Sequence, residues 1–409
     1  MTVPTSFTVS YSQIPSFLSD LKESNPGTVT AIETTTDGNG SQLFKHVFIS
    51  HGASQLGFLY LRNLIVVSGA NMKRQIPGYL IVAVAQDANF QTFPLAMAIV
   101  DRQSEETWRW FLKELEECFP DNNQITFLSD AGPMFTRSLT AIYPNAKHVD
   151  CLRRVQMTVQ LYFRDTTLKS MIREAACAYT TGAFRRGFNQ LKEKNQDCAT
   201  FLLAYGLPRW TRCYQAGERF NMMTANISQS VLHLMLSQPV MPIIQFLTFY
   251  HSTVMVWFRS RLRASMDHTG VISPGVQSLM DKASDTMMQW QVTQISYGCC
   301  EAVNNLGETH FVNPLRRTCS CMMFNKLWIP CVHAIVAADA FDVPASSLVH
   351  NCHTSLAWFE TYTSQIYPIA PRNEQTNTPL PEAELVLHPP TPRILVGRPR
   401  SIIHMVTNL

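Results

Sequence analysis

Between Leu64 and Cys151 the apolar positions fall in short blocks separated by polar or turn-forming residues: LIVVSG, YLIVAVAQD, TFPLAMAIVD and QITFLSD. Runs of this length, rich in β-branched residues, predict strands buried on both faces. SEETWRWFLKELEECF changes period to that of an amphipathic helix. Ser104 is its N-cap, Glu105 and Glu106 sit in the first turn, and Pro120 follows its end. FTRSLTAIYP is a second helix and AKHVDC a last strand. Three strands in series, then helix, strand, helix, strand, predict an α/β unit with a mixed sheet. Upstream, SYSQIPSFLSDLKESNPGT predicts one short helix stopped at Asn25-Pro26-Gly27, and LFKHVFIS a strand.

Beyond Cys151 the strand signal is lost and helical periods dominate to about residue 290, as in NQLKEKNQDCATFLLAYG. Strands return in QWQVTQISYG and THFVNPLRR, which flank the turn-like NNLGE. HAIVAADAF then predicts a helix, and from Pro368 onward lie 8 of the 23 prolines, a tail expected to be disordered. The expected organisation is a lead-in (1–60), an α/β core (61–150), a helical region completing that domain (151–290), a small β-hairpin-plus-helix unit (291–345), a short following segment (346–368) and the Pro-rich tail (369–409).

Apolar residues make up 46% of the 409 and charged residues 15%, a globular composition. The net charge of +3 is modest, but its distribution is uneven. Residues 1–150 hold 10 Lys and Arg against 14 Asp and Glu, whereas residues 151–220 hold 12 against 5. That helical stretch, including Arg185, Arg186, Lys192 and Lys194, is a candidate for tracking phosphates; the plainer reading is a solvated helix face. No apolar run reaches membrane-spanning length and no leader opens the chain, so a soluble intracellular protein with reduced cysteines is expected, with no membrane partner.

Four residues carry the clearest chemistry. Cys319 and Cys321 are one residue apart, and nine residues later come Cys331 and His333. On an extended strand the first two point to the same side. Cys331 follows Pro330 where a helix should start, with His333 in its first turn. Two ligands from a strand and two from a helix start would close a tetrahedral Cys3His shell that suits zinc. With all four positions filled by protein, the zinc would be structural.

This C-x-C…C-x-H pattern, with IPC-x-H before an Ala-rich helix, resembles the SWIM zinc finger. In plants that finger accompanies Mutator-like element transposases and the far-red-response transcription factors derived from them. The resemblance extends upstream through LRNLIVVSGANMK, YLIVAVAQDANFQTFPLAMAIVD, ETWRWFLKEL, ITFLSDAG, AIYPNAKHVDC and WTRCYQAGERFNMMTANISQSV, covering roughly residues 10 to 400. It implies an RNase H-like fold in which three carboxylates hold two Mg²⁺ or Mn²⁺ ions for phosphodiester transfer. The family's V-V-D-G-T is Val66-Val67-Ser68-Gly69-Ala70 here, so the first acid is a serine. The second matches at Asp130. The third, in a motif like T-S-N-x-x-E-S, is Gln229. A Cys-x-x-His pair reads Cys151-Leu152-Arg153-Arg154. Asp87, Asp101 and Asp150 are the other acids near strand ends, and Asp87 reads as a structural turn residue.

The resemblance implies a truncated, degenerate member lacking the family's N-terminal DNA-recognition module: a nuclear zinc protein, catalytically silent, with DNA as the expected partner. The alternatives are an active DDE-type transposase using a substitute acid, and an element remnant without a selected function. Gly397-Arg398-Pro399-Arg400 is similar to the core of an AT-hook, which would place Arg398 and Arg400 in a narrow minor groove.

Overall fold

The computed structural model describes residues 5–72, 78–215, 218–296, 298–370 and 387–390. Among the described residues eight strands form the main sheet, seven of them β1 (Val29–Thr36), β2 (Gln42–Ser50), β3 (Leu64–Asn71), β4 (Tyr79–Gln86), β5 (Thr92–Val100), β6 (Thr126–Ser129) and β7 (Lys147–Asp150), with a short eighth near the C-terminus. Their spatial order is β1-β2-β5-β4-β3-β6-β7. The connections explain the order. β3, β4 and β5 follow one another through short links and pair antiparallel. β6 and β7 are reached through the helices Glu105–Cys118 and Pro133–Ile142, so they enter parallel to β3 and to each other. This is the mixed α/β sheet that the hydrophobic blocks predict. The lead-in is part of it: β2 pairs with β5, so one sheet runs across residue 60.

The central strands are buried at nearly every position, which requires cover on both faces. The helix Glu105–Cys118 supplies Trp108, Phe111, Leu112 and Leu115 to the core. Its start is fixed as expected, Ser104 Oγ accepting from the Thr107 N–H at 3.1 Å. The helix Asn226–Leu236 packs across β3 and β4, and the long helix Ile243–Asp267 joins the same core through Phe246, Leu247, Val254 and Phe258. Between them, residues 152–210 fold around a separate apolar centre that includes Val155, Ile172, Phe184, Leu191 and Trp210.

A second, antiparallel sheet has the order β11-β10-β9-β8, from β8 (Trp290–Ser296), β9 (Cys299–Asn304), β10 (Thr309–Asn313) and β11 (Thr318–Cys319). The sequence pattern predicts two strands around NNLGE. The structure adds β9, whose Cys300 and Ala302 are buried while Glu301 between them is not. The helix Val332–Ala340 covers this sheet. The unit is tied to the core at the β4–β5 turn: Ser273 Oγ donates to the Ala88 carbonyl at 2.7 Å, and Asn89 Oδ1 accepts from the Gly275 N–H at 2.7 Å.

Asp87 organises that turn. Its Oδ1 accepts from the Asn89 and Gln91 N–H groups at 2.9 and 2.7 Å. Its Oδ2 accepts from the Tyr362 hydroxyl at 2.8 Å, and Arg261 donates to the same phenol oxygen at 3.1 Å. A polar turn residue thus anchors the segment that follows the second sheet. Of the expected Pro-rich tail, residues 387–390 are described beyond Ala370, and Leu387–His388 (β12) add in parallel to β2 beside Gln42 and Leu43. Arg398 and Arg400 lie outside the described residues.

Tyr362→Phe leaves Asp87 Oδ2 buried without its donor. The expected loss is about 1–3 kcal/mol of stability, read as a lower urea midpoint. An unchanged midpoint would show that this bond does not hold the segment.

Candidate functional site

Parallel pairing sets Val67 beside Ser129, so the next residues, Ser68 and Asp130, emerge at the same rim of the sheet. The helix Asn226–Leu236 crosses that rim and brings Ser228 and Gln229 down onto them. Ser68 Oγ donates to Asp130 Oδ1 at 2.7 Å. The Gln229 side-chain amide donates to Asp130 Oδ2. Ser228 Oγ lies 2.7 Å from Ser68 Oγ, and both serines are fully buried. The three positions singled out in the sequence therefore meet. Ser228 is not among the residues that the sequence singles out; its only signal is being a small polar residue beside Gln229.

Both oxygens of Asp130 are occupied by neutral donors. The donor set does not fit a pair of divalent cations: one carboxylate remains, and a hydroxyl and an amide replace the anionic oxygens such ions need. The neighbouring acids are engaged elsewhere. Asp101 Oδ1 is 3.1 Å from His46 Nε2. Asp150 Oδ2, fully buried, is 2.8 Å from Arg209 Nε. Asp87 holds its turn. Arg154 Nη1 donates to the Asp130 carbonyl at 2.9 Å and also to that of Ala131. A guanidinium has no lone pair to offer a metal. Cys151 Sγ instead accepts from the Ala225 N–H at 3.4 Å.

The second centre lies in the small sheet. The ligand atoms of Cys319, Cys321, Cys331 and His333 lie within 4.8 Å of one another. His333 Nδ1 is 3.5 Å from Cys319 Sγ and 3.6 Å from Cys331 Sγ. Cys331 is the N-cap of the helix Val332–Ala340, with His333 in its first turn, as the sequence predicts. The strand geometry differs from the expected one. β11 ends at Cys319, and Cys321 projects from a turn in which the Met322 N–H bonds to the Cys319 carbonyl at 2.9 Å. That turn, with Ser320 and Cys321 at its centre, folds Cys321 back to the cluster, and Met322, left-handed with φ 63°, leads on into the helix Met323–Leu327. Trp290 and His310 wall the His333 ring at centroid distances of 4.2 and 4.1 Å.

The electrostatics of the cluster suit a dication. Hydrogen bonds from the Cys319 and Cys331 thiols hold Cys321 far below the usual thiol range. The hydrogen bond to Cys321, with burial, pushes Cys319 up to about 12, and hydrogen bonds to Cys319 and Cys321, with burial, push Cys331 up as well. Three thiolates cannot coexist in so small a volume unless a cation answers them, and the donor set is the one zinc prefers. These four residues could hold a zinc ion, which would cross-link strand, turn and helix there.

Residues 69–158 match the MULE transposase domain. A search of curated proteins finds no match. The MULE match runs from β3 to the helix Leu152–Phe163 and contains Asp130. Ser68 sits one residue before it, and Gln229 and the Cys3His cluster lie beyond it. The basic residues also lie downstream of the MULE domain. Arg185, Arg186, Lys192 and Lys194 are all exposed on the helix Thr181–Lys194, whose other side buries Phe184, Phe188 and Leu191. Among the described residues no helix is long and apolar enough to cross a membrane.

Metal analysis of the purified chain should return one zinc, with an apparent binding free energy of about 10–16 kcal/mol at neutral pH. Cys321→Ser with Cys331→Ser should remove it and abolish amide-exchange protection in β8–β11 while sparing the main sheet. Full protection in that variant would mean the cluster folds without metal.

Proposed function

We propose that this chain is a transposase-derived, SWIM-type zinc protein of the plant Mutator lineage that binds DNA in the nucleus and neither cuts nor joins it. One observation carries the reading: Asp130 spends both oxygens on Ser68 and Gln229. Two divalent ions bring a charge of about +4 to a transposase site and supply most of the stabilisation of an in-line displacement. A single carboxylate, hydrogen-bonded on both oxygens by neutral donors, neither collects them nor screens their repulsion. DNA affinity rests instead on the exposed cations of the helix Thr181–Lys194, which meet phosphates without reading sequence.

A strand-cleavage assay on terminal-repeat DNA with Mg²⁺ and then Mn²⁺ tests the catalytic half. The expected result is no product from the natural chain. Product that disappears in Asp130→Ala would overturn the reading, because another acid would then be completing the site. Ser68→Asp with Gln229→Glu restores the charge and is the variant in which any latent activity should emerge.

For the binding half, replacing Arg185, Arg186, Lys192 and Lys194 together by Ala should flatten the dependence of log K on log salt. The expected change is about 0.9 in slope for each phosphate no longer neutralised. An unaltered slope would move the DNA-binding role to another surface.

A further inference from the structure

Opposite the Asp130 rim, where β3, β6 and β7 begin, a cleft of about 650 Å³ separates the main sheet from the zinc unit. Its two walls differ in chemistry. The sheet side presents three side-chain amides, Asn63, Asn123 and Gln124, and one cation, Lys147. The far side carries the half-buried Trp328 and His350, which pack on each other at 4.3 Å between ring centroids, and Phe220 is buried behind them, edge-on to Trp328 at 5.0 Å. Tyr60, 41% exposed, stands at the mouth.

Two features set this cleft apart from a packing gap. Phe220 and Trp328 both hold left-handed backbones, with φ of 51° and 62°, which bulky residues rarely adopt. The Glu218 carboxyl also lines the cleft, and its Oε2 is buried with no hydrogen-bond partner among the described residues. The carboxyl that lines the cleft offers an acceptor that a ligand N–H can meet. Burial raises the pKa of the Glu218 carboxyl, against the opposing effect of Lys326 and Lys147.

The complementary ligand has a flat apolar face for the rings, an edge of mixed donors and acceptors for the amides and Glu218, and an anion for Lys147. We propose that the cleft binds one nucleobase together with its phosphate. Its volume lies in the range of small-ligand sites and suits one nucleotide. Aromatic walls accept any base face, while the amides discriminate at the base edge. The site is separate from the basic helix and does not depend on DNA binding there. The nucleotide can come from solution or from an unpaired position in a strand.

The test is calorimetric titration of the zinc-loaded full chain. The probes are the four nucleoside 5′-monophosphates, a short duplex with one unpaired base, and the same duplex fully paired. Binding of a monophosphate, or of the bulged duplex over the paired one, is expected; the first result assigns a free nucleotide and the second a strand. Tyr60→Ala and Asn123→Ala should each weaken it about tenfold. Lys147→Ala should weaken the monophosphate but not the parent nucleoside. Replacing the four cations of the helix Thr181–Lys194 should leave monophosphate affinity unchanged. Tyr60 and Asn123 are exposed, so unchanged zinc content and melting temperature in their variants will confirm an intact fold. Silence with every probe, or affinity unmoved in all three cleft variants, would overturn the proposal.

Discussion

The charge on Asp130 has to be answered by something, and here a serine hydroxyl and a glutamine amide answer it. Three carboxylates at these positions would repel one another until cations arrived. With Ser68 and Gln229 in two of the places, the same geometry closes without metal. The bonds also fasten the helix Asn226–Leu236 to the rim of the main sheet, and Ser228 extends them into the buried layer. These three side chains hold the fold together at this rim. Arg154 reinforces the change, since its guanidinium caps the backbone just after β6.

The opposite end of the sheet is organised by different means. There the β4–β5 turn, ordered by Asp87, receives Tyr362 and the start of the helix Pro274–Ser284. The unit that carries the Cys3His cluster is thereby seated against the ends where β3, β6 and β7 begin. The Cys3His cluster and the Asp130 triad thus belong to separate units, linked through the body of the sheet. Zinc loss should consequently loosen the small sheet and the cleft beside it without disturbing the Asp130 rim.

Much of this is legible in the sequence, and the failures have physical causes. The strands from Leu64 to Val100 are plain because burial on both faces leaves continuous apolar runs. The Cys331 and His333 pair is plain because a proline and an Ala-rich run mark the helix start. The Cys319 and Cys321 pair misleads: one-residue spacing suggests a strand, but the backbone turns through Ser320 and Cys321, and neither residue is a strong turn former like glycine or proline. β9 escapes the pattern because CCEAVN is short and carries a charge. The positions of Ser68 and Gln229 come from the family resemblance; the Ser68 bond to Asp130 depends on the parallel pairing of β3 and β6, and that of Gln229 on a helix that arrives from about a hundred residues away. Nothing local marks the cleft, whose lining residues run from Leu59 to Ala357 along the chain and meet only in the fold.

The central claim concerns what Asp130 holds. Titration of the zinc-loaded chain with Mn²⁺, followed by the loss of the free-ion paramagnetic resonance signal, addresses it directly. The account expects no saturable site that depends on Asp130, and the appearance of one when Ser68 and Gln229 are changed to Asp and Glu. Saturable Mn²⁺ binding by the natural chain, removed by Asp130→Ala, would contradict it.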